Sequence, residues 1–127
     1  MNVSRWSLVM ARYRDLKVGQ AAMLLAEEIY RLSARFPKHE TYGLASQLQR
    51  SAVFPPSNIA EGHGRHSRKE FNHFPGIALG SLAELETQLI LAQRLDYLTE
   101  EEISLALQNA DEIGKMLKGL QKSPTTN

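Results

Sequence analysis

The chain has 127 residues, with 15 lysines and arginines against 14 aspartates and glutamates, and no cysteine. A chain of this length buries a single core, so we expect one domain. The absence of cysteine excludes disulfide scaffolds, thiolate metal sites and cysteine nucleophiles. The formal net charge of +1 says nothing about partners, so electrostatic arguments must rest on local clusters of charge.

The first residues do not have the pattern of a targeting segment. Arg5, Arg12 and Arg14 interrupt the short apolar stretch near the start, which argues against a signal peptide. No run approaches the roughly 20 apolar residues that a membrane-spanning helix needs. We therefore expect a soluble, cytoplasmic protein with an N-terminal arm at residues 1–15, a folded domain at residues 16–122 and a disordered tail at residues 123–127.

A first helical pattern begins near Val18. Apolar residues recur there at spacings of three and four, with polar residues between them, which is typical of an amphipathic helix. Pro37 ends the pattern, because the residue before a proline is pushed out of the helical region. The apolar stripe of this helix consists of Val18, Ala22, Leu25, Ile29, Leu32 and Phe36.

A second helical pattern contains two consecutive prolines, Pro55 and Pro56. Proline removes a backbone donor and clashes with the preceding turn, so we expect a kink or a break near Val53 and Phe54. Two glycines after the pattern are typical of a helix C-cap. The apolar stripe consists of Leu44, Leu48, Ala52 and Ile59, and the glycines are Gly62 and Gly64.

A third helix is predicted from the capping box that Ser67 forms with Glu70, and it extends to about Leu95. Proline in a helix interior costs about 3 kcal/mol. Pro75 therefore indicates that this helix either bends or begins later than the capping box. Its apolar stripe consists of Phe71, Phe74, Ala78, Leu82, Leu85, Leu89 and Ala92.

A fourth helix begins at a second capping box, formed by Thr99 and Glu102. Acidic residues near its start and lysines near its end both complement the helix dipole. No alternating strand pattern or internal repeat competes with these assignments. Four helices joined by short loops predict an all-α protein folded as an antiparallel up-and-down four-helix bundle. The stripe of the fourth helix consists of Ile103, Ala106, Ala110, Ile113, Leu117 and Leu120.

A cationic cluster follows the second helix, at a loop and the predicted start of the third helix. Backbone donors and the helix dipole at such a position favour anions, so the cluster is a candidate for binding nucleic-acid phosphates. The alternative is a solvated basic loop, since clusters of this kind are common on protein surfaces. The candidate nucleic-acid-binding residues are Arg50, His63, Arg65, Arg68 and Lys69.

A polar motif interrupts the apolar pattern at the end of the second helix. Asn58 and Glu61 are three residues apart on one helical face, and we expect a buried or interfacial polar network that satisfies the carbonyls released by Pro55 and Pro56. Glutamates in the third helix are expected to meet basic residues of a neighbouring helix or protomer, because burying an isolated carboxylate is costly. The residues assigned to this structural or interface role are Ser57, Asn58, Glu61, Gly62, Glu84 and Glu86.

Glu70 and His73 have the Glu-x-x-His spacing of di-iron bundles. Such sites need a second copy of the motif and two further inward glutamates, and the sequence has no second copy. The alternative is an exposed His73 on a helix surface. Nothing marks a nucleophile elbow or an activated base either. We expect no metal site, no cofactor and no enzymatic activity.

Several stretches together resemble a bacterial four-helix-bundle family that includes proteins encoded in intervening sequences of large-subunit ribosomal RNA genes, and the accessory variability protein of diversity-generating retroelements is a similar protein. The resemblance implies an up-and-down bundle that assembles into a barrel-shaped homopentamer. It also implies binding of nucleic acid and of a reverse transcriptase through a basic surface, and no catalysis. The stretches are 16–18, 37–38, 42–44, 56–62, 64–65, 70–71, Phe74, 77–78 and 80–89.

Two functions from different classes follow. The first is a non-enzymatic homo-oligomeric module that binds the backbone of RNA or DNA. The second is a self-assembling protein-interaction scaffold without nucleic-acid binding, in which the polar motif serves the interface.

Overall fold

The structure is a computed structural model, and it describes residue 5, residues 16–62 and residues 73–122. In these residues the secondary structure is entirely helical. The long helices are α1 Leu16–Ser33, α2 Leu44–Gly62, α3 His73–Arg94 and α4 Glu100–Lys122, and a short 3-10 helix, Lys38–Glu40, precedes α2.

Each long helix packs against the next one in the chain, and α1 also packs against α4. These neighbours close the bundle, so the predicted up-and-down four-helix architecture is confirmed. None of the helices in the described part of the chain is long and apolar enough to cross a membrane.

The apolar stripes predicted on the four helices meet in one core. Ile29, Leu85 and Leu117 are completely buried there, and burying such a side chain stabilises the fold by roughly 1.5–3 kcal/mol. Leu32 and Leu120 pack at the edge of the core and are partly buried. The other buried stripe residues are Val18, Ala22, Leu25, Phe36, Leu44, Leu48, Ala52, Ile59, Phe74, Ala78, Leu82, Leu89, Ala92, Ile103, Ala106, Ala110 and Ile113.

The break expected in α2 near Val53 and Phe54 is wrong, because the helix runs without interruption through Pro55 and Pro56. Both proline rings are buried. Burial of their apolar atoms stabilises the helical conformation and offsets the lost backbone hydrogen bonds. One turn earlier, the hydroxyl of Ser51 donates to Oε1 of Gln88 on α3 at 2.9 Å, which holds this part of α2 against its neighbour.

Pro75 lies in the first turn of α3, which begins at His73. The first backbone N–H groups of a helix have no partner within the helix, so a proline there removes no hydrogen bond. Pro75 therefore does not incur the cost that proline has in a helix interior. Ser67 and Glu70, the predicted capping box, lie outside the described residues.

The turn between α3 and α4 is a Schellman motif. The N–H of Tyr97 donates to the carbonyl of Ala92 at 2.9 Å, and the N–H of Asp96 donates to the carbonyl of Gln93 at 3.0 Å. Asp96 has a φ of 65°, in the left-handed region that glycine usually occupies at this position. An aspartate therefore occupies a backbone conformation that carries a steric cost.

The predicted capping box at the start of α4 is confirmed. The N–H of Glu102 donates to Oγ1 of Thr99 at 3.1 Å, and the N–H of Thr99 donates to Oε1 of Glu102 at 2.9 Å. The other carboxylate oxygen of Glu102 forms an ion pair with Arg35, which lies just after α1. The start of α4 is thus attached to the end of α1.

We predict that Asp96→Gly stabilises the protein. The left-handed conformation costs an L-residue roughly 1–2 kcal/mol, and the greater freedom of glycine in the unfolded chain cancels about half of that gain. The expected increase in the free energy of unfolding is roughly 0.5–1 kcal/mol, measured by urea denaturation. Asp96→Ala is the control and should give no increase, because it keeps the Cβ atom. A less stable Asp96→Gly protein would contradict the assignment of strain to this residue.

Candidate functional site

Of the predicted nucleic-acid-binding residues, the structure describes Arg50. It lies on the outer face of α2 and is exposed. The other four, His63, Arg65, Arg68 and Lys69, lie outside the described residues. The predicted cationic cluster therefore stays a prediction, and Arg50 is the member whose surroundings the structure describes.

Arg50 lines a groove of about 290 Å³ between α1 and α2. We call this the Arg50 groove. Two aromatic side chains flank it, Tyr30 from α1 and Phe54 from α2, and they are 47% and 44% exposed. The complete lining is Tyr30, Gln49, Arg50, Val53, Phe54 and Ser57.

Arg50 has no partner of opposite charge among the described residues. Gln49 donates through Nε2 to Oγ of Ser33 at 2.9 Å, so its amide is directed to α1. The groove lining contains no carboxylate, and Arg50 forms no ion pair with a described residue. The groove therefore combines one cation with exposed aromatic rings.

The polar motif at the end of α2 is divided between core and surface. Asn58 is buried, with 6% of its surface exposed, whereas Ser57 and Glu61 are exposed. The Nδ2 atom of Asn58 is buried and finds no hydrogen-bond acceptor within the described part of the chain. The sequence predicted a polar network that satisfies the carbonyls released by the prolines. Within the described part of the chain, the amide of Asn58 does not donate to them. Gly62 is the last described residue of α2, and Gly64 lies outside the described residues, so the predicted glycine C-cap stays a prediction.

The basic partners expected for the glutamates of α3, on a neighbouring helix or on another protomer, stay a prediction, and Glu86 has an acidic neighbour within the described residues. The carboxyl group of Glu86 lies beside that of Asp111 on α4, and the two can share a hydrogen bond when one of them is protonated. Partial burial raises the pKa of Glu86 above its ordinary value of 4.5, and the charge of Asp111 and this hydrogen bond raise it further. Lys115 and Lys118 line the same groove between α3 and α4. Glu84 is exposed and lines a different groove, between α2 and α3.

A polar cluster that sequence reasoning missed joins the start of α2 to the turn before α4. Glu40 accepts the N–H of Leu44 through Oε1 at 2.9 Å and the hydroxyl of Tyr97 through Oε2, also at 2.9 Å. Nε2 of His39 lies 3.3 Å from the same hydroxyl. Tyr97 also packs against Phe36, with ring centroids 5.2 Å apart. No local pattern signals a contact between residues 57 positions apart.

The contacts within this cluster shift the pKa values of Glu40 and Tyr97. The hydrogen bond from the backbone of Leu44, followed by that from Tyr97, lowers the pKa of Glu40 below 4.5. The hydrogen bond to Glu40 raises the pKa of Tyr97 above 10.0, because an ionised phenol has no proton to donate. Both shifts favour an ionised Glu40 and a protonated Tyr97 at neutral pH, and these are the states that form the hydrogen bond between them. The cluster therefore connects the loop before α2 to the turn before α4.

The same cluster explains Gly43. A Cβ atom added there would lie 2.6 Å from Oε1 of Glu40, the atom that accepts the N–H of Leu44. A side chain at this position would therefore push Oε1 of Glu40 away from the N–H of Leu44, at the cost of that hydrogen bond.

The described residues contain no group of three or more histidines, aspartates or glutamates that could hold a metal ion. Glu70 of the Glu-x-x-His pattern lies outside these residues, as does the side chain of His73. The surface of the described residues presents cations, aromatic rings and apolar side chains.

Comparisons with known proteins identify two similarities. The sequence model of the family described as 23S rRNA-intervening sequence protein matches residues 14–119. The chain is also similar to the crystal structure of a protein of unknown function from the S23 ribosomal protein family of Bacteroides thetaiotaomicron, with a TM-score of 0.74 and 27% sequence identity. That similarity covers 84% of this chain and 99% of the other. No curated protein matches.

We predict that Gly43→Ala destabilises the protein by about 1 kcal/mol, the net value of one hydrogen bond. Chemical denaturation measures the change. In a Glu40→Ala background the same substitution should cost much less, because the carboxylate that it displaces is already absent. Gly80→Ala on α3 is the matched control, since a Cβ atom there meets nothing within 4 Å. An equal cost of Gly43→Ala in both backgrounds would contradict the explanation.

The Glu86–Asp111 pair predicts a dependence of stability on pH. Because the folded-state pKa of Glu86 is raised, its contribution to stability is fully present below 4.5 and is lost as the pH rises through the folded-state pKa. Glu86→Gln should therefore stabilise the protein at neutral pH by roughly 0.5 kcal/mol, a value typical of a surface charge pair, and the gain should disappear near pH 4. Thermal unfolding across this pH range measures the effect.

The control for this experiment is Glu84→Gln, which removes an exposed carboxylate from the same helix. It should change stability little at either pH. A Glu86→Gln gain that does not depend on pH would show that the carboxyl pair is not its cause.

Proposed function

The chain belongs to the 23S rRNA-intervening sequence protein family, and we propose that it is a non-enzymatic, self-assembling bundle that binds the backbone of RNA or DNA. The observation that carries this proposal is the unneutralised Arg50 in a groove without carboxylates. The names of the family and of the solved relative both refer to ribosomal components, which is consistent with a role near RNA.

The exposed apolar side chains support self-assembly. Each of the four helices carries at least one large apolar residue that is 40% or more exposed. Single exposed apolar residues are normal on a protein surface, but neighbouring ones can form a contiguous patch that a partner covers. Head-to-tail contacts between two different faces form a ring when the rotation from copy to copy closes. We propose a homopentamer, as the family resemblance implies. The exposed residues are Leu24, Tyr30, Val53, Phe54, Ile77, Ile90, Leu91 and Leu105.

Arg50 is one of several exposed cations that form no ion pair with a described residue. Arg35 is paired with Glu102, and Lys115 lies 3.8 Å from Glu112, so their charge is partly neutralised within the fold. Arg50 keeps its charge available. Neutralising a phosphate releases condensed counterions, which is the main source of affinity for nucleic acid.

A ring would strengthen this binding by repetition. In the sequence, the cations His63, Arg65, Arg68 and Lys69 follow directly after α2, the helix that carries Arg50. A copy of each set in every protomer would give one nucleic-acid strand several contacts, and such multivalency raises avidity well above the affinity of one site.

The exposed apolar faces also favour a second function, a self-assembling scaffold that docks another protein and binds no nucleic acid. A reverse transcriptase or another protein would then be the partner, and the polar motif 57–62 would serve the interface. Both functions require self-assembly. They differ in the ligand, which is nucleic acid in the first and another protein in the second.

Nucleic-acid binding is tested by fluorescence anisotropy with labelled RNA and DNA between about 50 and 200 mM salt. We predict binding that weakens steeply with salt. Arg50→Ala should lower the slope of log affinity against log salt by about 1 for each Arg50 that contacts a phosphate. Lys115→Ala, which removes an exposed lysine from α4, is the control and should leave the slope unchanged. Binding that is absent, or indifferent to salt, would exclude nucleic acid as the ligand.

Light scattering of the purified protein tests assembly separately. The proposal expects the mass of five copies. A single copy at high concentration would overturn both functions, whereas a multimer without nucleic-acid affinity would leave the scaffold.

A further inference from the structure

The Arg50 groove differs in charge from three other grooves that described residues line. It has one cation and no carboxylate. Each of the three others contains at least one carboxylate, which repels a phosphate backbone. These carboxylates are Glu28 and Glu112 between α1 and α4, Glu86 and Asp111 between α3 and α4, and Glu84 between α2 and α3.

The Arg50 groove also differs in its aromatic content. Tyr30 and Phe54 line it, whereas the linings of the other three grooves contain no aromatic residue. Both rings are close to half exposed. A half-exposed ring offers a flat apolar surface to a ligand, and nucleic-acid bases stack on such surfaces regardless of their identity.

We propose that the Arg50 groove is a binding subsite for an unpaired base of a single-stranded nucleic acid. The base stacks on Phe54 and Tyr30, and Arg50 pairs with a neighbouring phosphate. This inference rests on the proposed function and deepens it, because it specifies a single strand and names residues that contact the base. A duplex does not fit, since its bases are already stacked on one another and present no free ring face.

The size of the groove agrees with a single base. Its volume of about 290 Å³ is at the lower end of the range for small-ligand pockets. Ser57 lies at the same groove and is exposed, so its hydroxyl is available to a base edge or a sugar.

The competing occupant is a second copy of this chain. An apolar contact over the groove would remove Arg50 from water without an acidic lining residue to pair with it, and burying an unpaired charge is costly. A nucleotide avoids this cost, because it brings the apolar ring and the phosphate together. The charge of the groove therefore favours the nucleotide.

The test compares Phe54→Leu with Phe54→Trp in the full-length protein. Leucine keeps an apolar side chain but loses the aromatic face, whereas tryptophan keeps that face. We expect Phe54→Leu to weaken binding of a single-stranded RNA roughly tenfold and Phe54→Trp to retain it. Tyr30→Leu should act like Phe54→Leu. Gln47→Ala, at an exposed polar residue of another groove, is the control and should not change the affinity.

A second measurement reports stacking directly. A single strand that carries a fluorescent adenine analogue should lose emission on binding to the wild-type protein and less on binding to Phe54→Leu. Circular dichroism and light scattering confirm that each variant keeps its fold and mass.

Each remaining outcome overturns the inference in a distinguishable way. Equal binding of single strands by wild type and Phe54→Leu would remove the stacking subsite but leave backbone binding. Equal affinity of the wild type for single strands and duplexes would do the same. A change of mass in Phe54→Leu would assign the groove to a contact between copies. No binding of any nucleic acid by the wild type would remove the proposed function together with the subsite.

Discussion

Ile29, Leu48, Leu85 and Leu117, one from each helix, meet at the centre of the bundle, where none is more than 1% exposed. Burial of these side chains sets the rotation of every helix, because an amphipathic helix has one face that is stable only away from water. The outward direction of Arg50 and Phe54 on α2 follows from the inward direction of Leu48 and Ala52. The binding chemistry of the surface therefore depends on the packing of the core.

The connections between helices add a second layer of constraint. Glu40 and Tyr97 join the loop before α2 to the turn before α4, and Arg35 joins the end of α1 to Glu102 at the start of α4. These contacts lie at the surface, where individual ion pairs contribute little to stability. Their importance is geometric, since they fix the positions at which helices begin. Glycine at position 43 leaves room for the carboxylate of Glu40 to accept the N–H of Leu44.

Family membership establishes the fold but identifies no ligand, so the evidence for a ligand comes from the surface. The surface of the described residues has two relevant properties, apolar side chains that favour assembly and a cation that the fold does not neutralise. The proposed assembly and the proposed backbone binding are compatible, because a ring would repeat each cation around a common axis. The buried and unpartnered amide of Asn58 shows that the polar motif is not fully satisfied within the described part of one protomer.

The sequence by itself determined the four helices, their apolar stripes, the capping box at Thr99 and the family, because each depends on spacings of a few residues or on continuous motifs. Tertiary structure alone decided that α2 continues through Pro55 and Pro56, that Glu86 meets Asp111, and that Tyr30 and Phe54 flank Arg50. All three depend on which helix faces meet. Local periodicity specifies which face of each helix is buried, but the partner of each residue is known only when the helices pack together.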